Sequence, residues 1–146
     1  LPPFLSGPVL RLHPQNRTQV VFRFHQPLEI RQILRENRNA KLKVLILWSP
    51  ILQRDTQSTA MEATAFLDDP RVEHFWDLWG FGLQNYTSQL RYPRGDTAWD
   101  IFVLYKPKLT WGAKPPDPTL WMQNRNMSHG TNYSQEFLEQ ELSKMF

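Results

Sequence analysis

The chain has 146 residues, 40% of them apolar and 13% aromatic, with 17 Lys and Arg against 14 Asp and Glu for a net charge of +3. That composition supports one domain with a real core and excludes a chain disordered by composition. The absence of cysteine excludes disulfides, thiolate nucleophiles, thiolate metal sites and dithiol redox chemistry within this chain.

Residues 1–17 read as an extended, proline-rich lead-in, because proline fixes φ and offers no N–H donor. The domain proper is read as residues 18–146. Thr18 to His25 alternates, with Val20, Phe22 and Phe24 on one side, and predicts a strand. Pro27 suits the first turn of a helix whose Ile30, Ile33 and Leu34 fall at helical spacing, closed by Asn37 to Asn39. Leu42 to Trp48 is apolar at nearly every position, which predicts a strand covered on both faces.

Ser49-Pro50 ends that strand. Asp55 or Thr56 caps a helix running to about Leu67, with Ala60, Ala63, Phe66 and Leu67 inward. Arg71 to Trp76 reads as a strand, Gly80 to Leu90 as a weaker helix striped by Leu83, Tyr86 and Leu90, and Ala98 to Tyr105 as a strong strand. Lys106 to Pro118 is a proline-rich loop and Thr119 to Gln123 a short strand. Ser134 caps a last helix that turns Leu138, Leu142 and Met145 inward. The order β-α-β-α-β-α-β-β-α predicts an α/β fold: a mixed sheet of about five strands, largely parallel, flanked by helices and closed by an antiparallel pair.

This order resembles the thioredoxin-like fold. The local sequence also resembles a largely bacterial group of uncharacterised thioredoxin-like proteins. The residues that carry the resemblance are Trp48-Ser49-Pro50, the run Asp69-Pro70-Arg71-Val72-Glu73-His74-Phe75-Trp76-Asp77, Ala98-Trp99-Asp100 with the strand to Tyr105, Trp111, Pro115-Pro116-Asp117-Pro118 and Trp121-Met122. The match as a whole spans roughly residues 18 to 145. The resemblance implies a cysteine motif at the first strand-to-helix turn. Here that turn reads His25-Gln26-Pro27-Leu28, which supplies neither a thiol of lowered pKa nor a resolving thiol. No proline directly precedes the Ala98 strand, where thioredoxins place a cis-proline; Pro93 lies earlier. The resemblance therefore carries the fold and not the activity.

Four Asn-x-Ser/Thr sequons start at Asn16, Asn85, Asn126 and Asn132. Seven asparagines and sixteen serines or threonines give about one by chance. Asn-linked glycans imply export, and a start at Leu1 rather than Met fits a processed product. No apolar run approaches a membrane span, the longest being Val44 to Trp48.

His25, His74 and Asp77, with Asp100, are the candidates for a metal or acid–base site at the strand C-terminal edge. No close His-x-x-x-His pair supports them. Capping by Asp77 and packing of His74 beside Trp76 are the structural alternatives. Ser49 and Ser58 lack a nucleophile elbow and read as turn and capping residues. No glycine-rich phosphate loop is present, and no cofactor is expected. No basic run exceeds two residues, so nucleic acid is not an expected partner. Trp79 and Trp111, in loops, and nearby Phe81 form a candidate interaction surface together with the degenerate turn. The expected function is a secreted, non-catalytic interaction or structural module that binds a protein or itself. The alternative is a cysteine-free, metal-assisted enzyme.

Overall fold

A computed structural model of the chain describes residues 18–23, 27–38 and 41–146. The first element is β1 (Thr18–Arg23), followed by α1 (Pro27–Glu36) and β2 (Leu42–Trp48). Then come α2 (Gln57–Thr64), a 3-10 turn (Ala65–Leu67), β3 (Val72–Trp76) and α3 (Phe81–Gln89). The chain closes with β4 (Ile101–Tyr105), β5 (Leu120–Gln123), β6 (Thr131–Asn132) and α4 (Gln135–Ser143).

One sheet holds these strands in the order β3-β2-β1-β4-β5-β6. β1 lies parallel to β2, with Val20 opposite Val44, and β2 parallel to β3, with Trp48 opposite Trp76. β4 runs antiparallel to both β1 and β5. A β-α-β unit joined through its first strand to a β-β-α unit, in the order β2-β1-β4-β5, is the thioredoxin-like arrangement; β3 extends it beyond β2. The sheet has six strands rather than five. β6 is only two residues long, parallel to β5 through Met122–Thr131 and Gln123–Asn132, and two residues show no alternation for a sequence reading to find.

The pleat divides the core. Leu42, Val44 and Ile46 of β2 and Phe102 and Leu104 of β4 face Ile30, Ile33 and Leu34 of α1 and Leu138 and Leu142 of α4. Leu45 and Leu47, with Ile101, Val103 and Tyr105, face Tyr86 and Leu90 at α3 and the loop residue Trp111. Burial on both faces explains the unbroken apolar run of β2.

Three expectations need correction. The second helix does not remain α-helical to Leu67. Its last three residues tighten into a 3-10 turn, which advances each side chain further around the axis. Phe66 consequently points outward, at 61% exposure, while Leu67 stays buried. The strong strand begins at Ile101 rather than Ala98, because Asp100 adopts a left-handed backbone (φ 55°) that interrupts extension. Asp100 thus lies at the strand's entrance, not two residues inside it. Trp111 is buried, at 8% exposure, with its ring edge-on to Tyr105 at 4.9 Å. Its loop folds over the sheet face and hides it.

Candidate functional site

The C-terminal ends of β2 and β3 share one edge of the sheet with the entrance to β4. β1 ends at this edge, at Arg23 opposite Ile101, and α1 begins nearby at Pro27. A cleft of about 340 Å³ opens here. Its walls are the indoles of Trp48, Trp76 and Trp99 with Ile51, Leu52 and Ala63, and Asp55 and Asp100 supply its carboxylates.

The local structure fixes these walls. The Asp55 carboxylate accepts the backbone N–H groups of Ile51 (3.0 Å) and Leu52 (2.7 Å), folding the loop after β2 so that both apolar side chains stand at the cleft. Thr56 then caps α2, in a reciprocal capping box with Thr59. Trp48 donates its indole N–H to His74 Nδ1 at 3.1 Å and stacks on that ring at 19°. Arg125 holds Trp99, with its guanidinium 4.4 Å from the ring while donating to Asp96 and the Thr97 carbonyl.

His74 and Asp77 have structural partners. Burial holds the His74 imidazole below its ordinary pKa, opposed by a hydrogen bond to the Leu67 backbone. The neutral ring accepts from Trp48 on Nδ1, so Nε2 carries the proton. Asp77 accepts from the Ser49 hydroxyl and from the Leu83 backbone N–H, both at 3.1 Å. It caps α3 from upstream, because the position before Phe81 is Gly80 and has no side chain to do so. A side chain at Gly82 would collide with Leu47, so this turn must stay bare for α3 to close on the sheet. Ser49 is thus a turn residue. Ser58, exposed in the first turn of α2, leaves the capping to Thr56.

Among the described residues, no three His, Asp or Glu side chains gather around one point that a metal ion could fill. His25 and Gln26 lie outside the described residues, as does Asn16; Leu28 is 72% exposed. Of the aromatic candidates, Trp79 (74%) and Phe81 (53%) are exposed and Leu78 joins them (53%), whereas Trp111 belongs to the core. These three exposed residues follow directly on β3 and flank the same edge as the cleft.

Sequence reasoning missed Trp48, Ile51 and Leu52 as lining residues, and it missed Glu29. Burial raises the Glu29 carboxyl above the usual range; the nearby Tyr133 hydroxyl opposes the shift and the Asp100 charge adds to it. Tyr133 is likewise raised, first by burial and then by the Glu29 charge. The first turn of α1, the entrance to β4 and the residue after β6 therefore bring two carboxyls and a phenol together, from positions far apart in the chain. The pairing of β4 with β1 and β5, and of β5 with β6, makes them neighbours.

Asn126 and Asn132 are exposed, and Asn85 is half-buried on α3. Asn132 Oδ1 accepts from the buried Gln123 side chain at 2.8 Å, which turns its amide nitrogen away from that bond.

No protein-family model matches the sequence, and no curated protein matches it. Among solved structures, "Solution Structure of a Putative Thioredoxin from Neisseria meningitidis" matches with a TM-score of 0.48 at 14% identity, covering 90% of this chain and 75% of that one.

Proposed function

We propose that this chain is a non-catalytic binding module on a thioredoxin-like scaffold, which takes an apolar segment of a protein partner at the C-terminal edge of its sheet. The observation that carries the reading is the apolar, indole-walled cleft beside exposed Leu78, Trp79 and Phe81, on a chain that has no thiol. Buried aromatic anchors in concave apolar sites dominate the energetics of protein recognition. His74 and Asp77, the residues a metal-assisted reaction would need, are engaged in holding Trp48 and α3. Self-association through the same edge is one form of this function. The proposal includes export with N-linked glycans, supported by the exposure of Asn126 and Asn132.

Selection of peptides from a random library on the immobilised chain tests the reading. Selected sequences share a bulky apolar anchor, and their affinity falls at least about tenfold in Ala63→Phe, which fills the cleft, and in the Trp79→Ser/Phe81→Ser pair. Sedimentation at several concentrations tests self-association. No enrichment of apolar anchors, combined with a strictly monomeric chain, overturns the proposal. Enzymatic deglycosylation followed by intact mass tests the sugars.

A further inference from the structure

A second concavity lies on the helical side of the sheet, between α1 and the 3-10 turn, with a volume of about 400 Å³. Arg31, Arg35 and Arg38 line it from α1 and the segment after its end. Positions separated by four and then three residues fall on one helical stripe, with guanidinium roots about 6 and 10 Å apart along the axis. The same stripe is invisible as a run in the sequence, where no more than two basic residues are adjacent. All three side chains are exposed, and none makes an ion pair or hydrogen bond among the described residues.

The far wall is different. Arg71 is locked by Asp69, donating to both carboxylate oxygens at 2.8 and 2.9 Å, and caps α1 through the Leu34 and Asn37 carbonyls at 2.8 Å each. Asp68 is exposed at the lip, and Phe66 presents its ring there at 61% exposure. Three guanidiniums thus face the Arg71–Asp69 pair and Asp68 across a groove that also carries an aromatic ring.

We propose that this groove binds an extended acidic peptide segment of a protein partner. Planar guanidinium forks match carboxylates in bidentate geometry. Alternate residues of an extended chain rise by about 6.7 Å, close to the Arg31–Arg35 interval, so an acid-x-acid segment meets both. The modest charge excess suits two or three carboxylates. Asp68 at the lip repels a dense polyphosphate or polysulfate, whereas a peptide N–H can use it. Phe66 gives an intervening apolar side chain a contact. The groove is separate from the cleft at the other end of α2, so the two readings stand or fall independently.

Fluorescence anisotropy of the whole chain with a labelled peptide of alternating glutamate and valine tests this. Binding is saturable and weakens as salt rises. It falls at least about tenfold in Arg31→Gln/Arg35→Gln/Arg38→Gln, from three partly exposed pairs. The triple lysine variant, which keeps the charge and loses the fork, binds between the two. Trp79→Ser binds the peptide as the parent does. An unchanged melting temperature in the glutamine variant assigns its loss to the groove. The proposal is overturned by any of three results: no saturable binding, equal binding by the glutamine variant, or tighter binding of a single-stranded oligonucleotide or sulfated oligosaccharide of equal charge.

Discussion

At the scale of residues, two tryptophans that read alike in sequence have opposite fates. Trp79 and Trp111 both lie outside regular elements and both carry an indole N–H. Trp111 packs on Tyr105 within the core, and Trp79 stands in solvent. Trp111→Ala is therefore expected to cost about 3–5 kcal/mol of stability by leaving a cavity. Trp79→Ser should change stability by less than about 0.5 kcal/mol. Chemical denaturation of the two variants checks the pair. An equal loss in both would place Trp79 in the core and remove it from any recognition surface. The difference comes from proline-rich residues 106–118, which fold back over the sheet through Gln89 donating to the Pro115 and Pro116 carbonyls at 3.1 and 2.9 Å.

At the scale of elements, the run Asp69 to Asp77 explains itself. Asp69 and Arg71 close the C-terminus of α1, Val72 enters the core, His74 holds Trp48, and Asp77 caps α3. The motif that carries the resemblance to thioredoxin-like proteins is thus a joint between elements. Hydrogen bonding to Arg71 keeps the Asp69 carboxyl below its usual range. Arg71→Met should cost about 1–3 kcal/mol by stranding the Leu34 and Asn37 carbonyls, read as a fall in the denaturation midpoint. A neutral outcome would mean that water replaces the guanidinium at that helix end. A similar joint lies at Gly130, where φ is +78° and a Cβ would run into the Trp121 ring. Gly130→Ala is expected to destabilise the β5–β6 pairing by about 1–3 kcal/mol, visible as faster amide exchange at Tyr133, whose N–H bonds the Gln123 carbonyl at 2.8 Å.

At the scale of the whole molecule, pH acts through groups whose folded environment differs from water. The neutral His74 ring is the native form, and the unfolded ring, with its ordinary value of 6.5, takes up a proton first. Its contribution to stability is full above that value and declines as pH falls through it. Melting temperature should therefore drop between about pH 7.5 and 5 by more in the parent than in His74→Gln. Glu29 works in the opposite sense: its raised carboxyl favours the folded state at acid pH and opposes it as the group ionises. If His74→Gln melts with the same pH dependence as the parent, another group governs the profile.

The order of the elements other than β6, the two-faced burial of β2, the cap of α4 and the absence of a thiol follow from the sequence alone. Periodicity, capping grammar and composition are local properties, and each is written in consecutive residues. The tertiary structure decided what distant residues share. It chose which loop tryptophan is buried and paired the short β6 with β5. It also joined Trp48 with Trp76 and Trp99 around one cleft, and set the arginine stripe of α1 opposite the Arg71–Asp69 pair across one groove. Such neighbours are set by strand register and helix packing across the chain, and no window of sequence contains both partners of those contacts.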